Sequence, residues 1–241
     1  MSTVSVSAFA RPRFYLGIAA FMSLMVLVGF WPTYFGHLLS SGIPDRPWVV
    51  HLHGLVFVGW MVLLIAQVIL VATGRTQAHR RLGTFGIAYG FLVLAMGLVV
   101  SIAAPVLHFR SGEQTLDAAA GFLIIPLGDM VLFAGFLTAA VIYRRQPEIH
   151  KRLMLLATNA LLFAAAGRLG NFISIPAATA LWLSPVLLGI AYDKWAYQRV
   201  HRVYLLGLVI LMIGFTRIFL TQSEAWLPIG RSIIQAFAYA A

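Results

Sequence analysis

Long apolar runs separated by Pro, Gly or clusters of charge set the pattern of this chain. They predict membrane spans near residues 14–39, 48–73, 82–107, 118–143, 152–172, 177–192 and 203–221. A run of about 20 residues, rising 1.5 Å per residue, crosses a hydrocarbon core of about 30 Å. The sixth run is short and carries Pro185, so it is expected either to cross or to re-enter on the same side. The first run follows Arg11 and Arg13, is too long for a signal peptide, lacks a small-residue cleavage site, and reads as the first membrane helix. The expected fold is all-α: one polytopic membrane helical bundle of about seven transmembrane helices over residues 1–241.

Composition agrees with that pattern. Hydrophobic residues make up 61% of the 241 positions and charged residues 10%, against roughly 45–50% and about 25% in soluble domains. The net charge of +10 lies in short loops between apolar runs, which suits anionic lipid headgroups and gives no continuous basic face for nucleic acid. Twelve of the 17 Lys and Arg residues (Arg11, Arg13, Arg75, Arg80, Arg81, Arg144, Arg145, Lys151, Arg152, Lys194, Arg199 and Arg202) fall in one set of loops. The opposite loops and tail hold Arg46, Arg110 and Arg231. The positive-inside rule therefore predicts a cytoplasmic N-terminus and an external C-terminus. The absence of cysteine excludes disulfides, thiolate metal sites, iron–sulfur clusters and thiol nucleophiles.

Small residues mark the packing faces. Gly83, Gly90 and Gly97 recur every seven residues and Gly86 pairs with Gly90 as GxxxG, so this face is expected to meet a neighbouring helix, including one from a second copy or a partner subunit. Ala164, Ala165, Ala166 and Gly167 are expected to serve the fifth span in the same way. Pro32, Pro126 and Pro185 are candidate kinks.

Ionisable groups inside spans point to chemistry, because each is costly there unless paired or hydrated. These are Asp129, near the midplane, and Arg168 and Arg217, about 7 Å nearer the outer face. His51 and His53 enter the second span at a similar depth. Asn171 lies one turn from Arg168, and Trp60 and Gln67 follow His53 at seven-residue steps. One carboxylate against two guanidiniums suits a carboxylate, a quinone oxygen, a haem propionate or a lipid phosphate; the alternative is an internal salt bridge that fixes the bundle. The histidines form an outer layer (His37, His51, His53, His108) and an inner one (His79, His150, His201). An outer pair from the second and third spans and an inner pair, His79 with His150, would match two haems; His51 or His53 would suit a metal ion, although on a regular helix the two diverge by about 200°. No lysine in the last span offers a retinal attachment point, and no phosphate loop, dinucleotide fingerprint or HExxH motif occurs. Ser184 has no evident base beside it.

The stretch from His53 through Gln67, Gly74-Arg75 and His79-Arg80-Arg81-Leu82-Gly83, then Pro147-Glu148-Ile149-His150-Lys151-Arg152 and Arg168-Leu169, resembles a bacterial multi-pass membrane family grouped around a domain of unknown function. The resemblance covers about half the chain and implies that His53, His79, His150 and Arg168 belong to one set. The same arrangement is distantly similar to the di-haem cytochrome b family, which implies haem b held by histidines near both faces. The expectation is a bacterial inner-membrane redox protein with haem b or a His-bound metal, Arg168 and Arg217 holding an anionic group. Two others stand beside it: a transporter or binding protein for a small anionic or quinone-like ligand, and an accessory subunit of a membrane complex.

Overall fold

In a computed structural model, residues 10–239 are described; the side chain of Arg11, counted above, lies outside the described residues. Helices follow the apolar runs closely, because a backbone in hydrocarbon has to satisfy its own N–H and C=O groups. In chain order they are α1 (Ala10–Phe30), a π turn (Trp31–Phe35), α2 (Gly36–Ser40), α3 (Trp48–Ala72), α4 (Thr76–Arg110) and α5 (Leu116–Ile142). There follow α6 (Pro147–Leu161), α7 (Phe163–Leu169), α8 (Ile175–Tyr197), α9 (Arg202–Phe215), a 3₁₀ turn (Thr216–Leu220) and α10 (Leu227–Tyr239). No strand occurs among the described residues. Among the described residues, six helices are long and apolar enough to cross a membrane, seven when α6 and α7 count as one bent span. Large apolar side chains such as Leu55, Phe91, Val131, Leu206 and Ile213 cover the outside of the bundle, consistent with contact to lipid.

Helix boundaries show how the chain manages proline. Pro32 lacks an N–H, and the first span passes it through the π turn without ending. Pro185 cannot donate to the carbonyl of Leu181, and the Ser184 hydroxyl does so in its place at 2.6 Å. α8 runs unbroken for 23 residues, long and apolar enough to cross a membrane. The broken span is the fifth: α6 and α7 meet at 46° around Leu162. No Pro or Gly lies at that break. Instead the Asn159 carbonyl is claimed by the Trp182 indole N–H at 3.0 Å and by the Leu162 N–H at 3.1 Å, which tightens the helix there.

α5 lies at the centre, against α4, α6, α9 and α10. The main core joins Trp60, Phe133, Leu156, Trp182, Val186 and Tyr204 across five helices, and Trp60 anchors to Thr158 by its indole N–H at 3.2 Å. The turns at Gly74, at 143–146 and at 198–201 share one end of the bundle, called here the basic end. Gly74 and Gly112 have φ of +73° and +76°, which only glycine adopts freely in such tight reversals.

The glycine face of α4, expected to be open to a partner helix, is filled from within the chain. Gly83 and Gly86 face Gln67 and Leu63 of α3, Gly90 faces Leu137 of α5 and Trp60 of α3, and Gly97 faces Met130 of α5. Gly90 and Gly97 are buried and leave no room for a Cβ, whereas Gly83 and Gly86 are partly exposed and would admit one. Of the small residues of the fifth span, Ala165 and Ala166 are buried while Ala164 and Gly167 are exposed; Gly29 of α1 sits against Ala165 of α7, where a Cβ would lie 2.6 Å from the Ala165 carbonyl oxygen. Gly29→Ala should force α1 and α7 apart and cost about 1–3 kcal/mol; thermal unfolding in detergent measures this, and an unchanged midpoint would show that the helices are not held at this spacing.

α10 was not foreseen. Its 13 residues span about 20 Å, short of a hydrocarbon crossing. It packs Gly230, Ile234 and Ala238 onto α4 and α5 at the end opposite the basic one. Arg231 holds Asp117 with two hydrogen bonds, of 2.5 and 2.7 Å, and Trp226 donates to the Ala120 carbonyl at 2.8 Å.

Candidate functional site

The ionisable residues predicted to share one polar layer separate into two places. At mid-depth, Arg217 of the 3₁₀ turn donates from Nη2 to Asp129 of α5, from Nε to the Ile125 carbonyl at 3.1 Å and from Nη1 to the Gly214 carbonyl at 2.6 Å. Its guanidinium lies 4.8 Å from the centre of the Phe163 ring. Gly128 makes the space, since a Cβ there would stand 2.4 Å from Arg217 Cδ. Both partners are buried, Asp129 to 4% and Arg217 to 6% exposure. This is the internal salt bridge, with its donors spent inside the bundle.

Arg168 stands apart. At the end of α7 it donates to the Ala164 carbonyl at 3.1 Å and lies 4.3 Å over the Phe30 ring of α1. No carboxylate pairs with it among the described residues. His53 of α3 is within its electrostatic reach, packs its ring 4.1 Å from that of Phe57, and keeps a buried Nδ1 with no hydrogen-bond partner. The guanidinium thus has no counter-ion among the described residues, and the imidazole within its electrostatic reach has an unsatisfied nitrogen. Asn171 lies in the exposed turn after α7.

The remaining candidates have other occupations. Trp60 belongs to the core, on Thr158. His51 Nδ1 is 2.8 Å from the Tyr34 hydroxyl, on a different contact from His53. His108 meets Glu113 at 2.6 Å in the exposed turn after α4, and hydrogen bonding and charge from that imidazole hold the Glu113 carboxyl below its usual range. Measured from the Gly74 turn, His108 lies about 20 Å farther along its helix than His53 does along α3, so the two do not form one layer.

At the basic end, Gln67 clamps the start of α4. Its amide NH₂ donates to the His79 carbonyl at 3.1 Å and its oxygen accepts from the Gly83 N–H at 2.9 Å, which fixes its orientation. The same NH₂ reaches His79 Nδ1 at 2.6 Å, so Nδ1 accepts and the neutral ring carries its proton on Nε2. His150 Nδ1–H donates to the Ala140 carbonyl at 2.8 Å, leaving its Nε2 as an acceptor. The two rings are close enough to interact electrostatically. His79 Nε2 would have to lose its proton to ligate iron. Among the described residues, no three His, Asp or Glu side chains converge on a point where a metal ion would sit.

A further polar cluster escaped the sequence reading. Arg152 of α6, counted among the loop cations, is 1% exposed and donates from Nε to Asp193 of α8 at 2.9 Å and from Nη2 to the same carboxylate. Its Nη1 donates to Glu148, to the carbonyl at 2.6 Å and the carboxylate at 2.8 Å. The signal was present: Glu148 and Arg152 stand four apart, and Asp193 is one of only seven acidic residues. The packing of α6 against α8 brings them together. No family model, no curated protein and no solved structure matches this chain.

Proposed function

We propose that this protein binds a small anionic or quinone-like ligand from within the bilayer, at Arg168 and His53. One observation carries the reading: Arg168, in the last turn of an apolar span, has no carboxylate partner among the described residues, whereas Arg217 and Arg152 each have one. A charge in that position is costly until an acceptor meets it. A carboxylate, phosphate or quinone oxygen supplies that acceptor, and the Phe30 and Phe57 rings supply flat apolar contact. His53 Nδ1 offers a second hydrogen bond.

The test is quenching of tryptophan fluorescence by decylubiquinone and by a long-chain carboxylate, using protein purified in mild detergent. Arg168→Gln should weaken binding of one of these by about 10- to 100-fold, the equivalent of a charge-assisted hydrogen bond of about 1.5–3 kcal/mol. Equal binding by wild type and variant would reject the site. The absorption spectrum and metal content of the same preparation decide the haem and metal alternative; a Soret band or stoichiometric metal would favour it.

A further inference from the structure

At the basic end, where α6, α8 and the start of α9 converge, a cavity of about 490 Å³ is lined by Glu148, Arg152, Asp193, Tyr197, Arg199 and His201. Its floor is rigid. The Asp193 carboxylate is held by Arg152 and also accepts the His201 backbone N–H at 3.1 Å, which ties the end of α8 to the start of α9. The Arg152 guanidinium faces the Tyr204 and Tyr197 rings at 5.4 and 5.8 Å.

The charges around this floor do not cancel. Arg152 and Arg199 line the cavity with Glu148 and Asp193, and Lys151, Lys194 and Arg202 neighbour these residues in the sequence, giving five basic residues to two acidic ones in these segments. Both carboxylates are already engaged, Asp193 by Arg152 and Glu148 by Arg152 and Lys151. Arg199 is exposed at the rim and has no carboxylate partner among the described residues. His201 accepts the Val203 N–H on Nδ1 at 3.2 Å, so its neutral ring presents Nε2–H as a donor. Burial and the Arg152 guanidinium hold that imidazole below its usual range. The connecting turn has a set shape: Gln198 is the only described non-glycine residue with positive φ, at 58°, and its amide donates to the Trp195 carbonyl at 2.9 Å. Such backbone is disfavoured unless its surroundings hold it.

We infer that this cavity binds a phosphate-bearing anion, taken by Arg199 and His201 above the neutralised Arg152–Asp193 floor. A basic pocket between helices at a membrane surface is suited to an anionic lipid headgroup, and the same donors would hold free phosphate. Trp195, exposed beside it, is placed as an interfacial residue would be.

The full-length protein in detergent is titrated with dihexanoyl phosphatidylglycerol, dihexanoyl phosphatidylcholine and sodium phosphate, with the shift in unfolding temperature as the readout. Phosphatidylglycerol should stabilise at concentrations where phosphatidylcholine does not. Arg199→Gln, and Arg199→Gln with His201→Asn, should weaken that response at least tenfold; asparagine keeps an acceptor for the Val203 N–H. Arg168→Gln should leave it intact, which separates this site from the one proposed above. Competition by millimolar phosphate would assign the site to phosphate itself, and its absence to the lipid headgroup; either supports the inference. Equal stabilisation by the two lipids, or a wild-type response from both Arg199 variants, would overturn it.

Discussion

Replacing Arg217 with glutamine is expected to destabilise the folded protein by about 3–5 kcal/mol, because it leaves the Asp129 carboxylate without its cation at the centre of the bundle. The reverse change, Asp129→Asn, should cost less. Arg217 would keep the Ile125 and Gly214 carbonyls and the Phe163 ring, and asparagine still offers an oxygen to Nη2. The double variant Arg217→Met with Asp129→Leu should recover most of the loss, since an apolar pair of similar size removes both charges together. Unfolding by heat or SDS in a fixed detergent orders the four proteins. An Arg217→Gln variant as stable as wild type would mean that the pair is hydrated and not closed.

Asp193→Asn is the second large effect, also about 3–5 kcal/mol. Asp193 is fully buried, accepts two guanidinium bonds from Arg152 and receives the His201 N–H, so one substitution leaves the buried Arg152 with only the half-exposed Glu148 as its carboxylate and loosens the joint between α8 and α9. Glu148→Gln is the internal control. Its side chain is 52% exposed, which places its bond to Arg152 in the range of surface pairs, about 0–1 kcal/mol. Comparable losses from both substitutions would show that the network acts as one unit and that burial does not rank its members.

These two pairs show where residue order is informative about a site and where it is not. Asp129 and Arg217 stood out because a charge within an apolar run is conspicuous on any reading, and their pairing was one of the alternatives drawn from it. Arg152 and Asp193 did not stand out, because each lies near a span end among other charged residues, where solvation by headgroups is the ordinary expectation. Arg168 was grouped with Arg217 by depth, yet α7 leaves its axis at Leu162 and carries Arg168 to Phe30 and His53. Heptad spacing puts Gln67 on the face of His53. In the structure it turns to the backbone of α4, since the bare Cα atoms of Gly83 and Gly86 admit it there. The glycines themselves were visible, but not which helices would fill them.

From its residues alone the chain determined that it is a bundle of apolar helices, where nearly every helix lies and that basic connections gather at one end, because the cost of exposing backbone polar groups and charge to hydrocarbon acts locally and leaves a mark in each run of about 20 residues. Only tertiary structure decided that the fifth span bends and the sixth does not, that α10 returns onto α4 and α5, and which charges find partners. Those outcomes depend on single donors arriving from distant positions, the Trp182 indole at Asn159, the Arg231 guanidinium at Asp117 and the Arg152 guanidinium at Asp193. A hydrogen bond between residues 23, 114 or 41 positions apart leaves no periodicity to read.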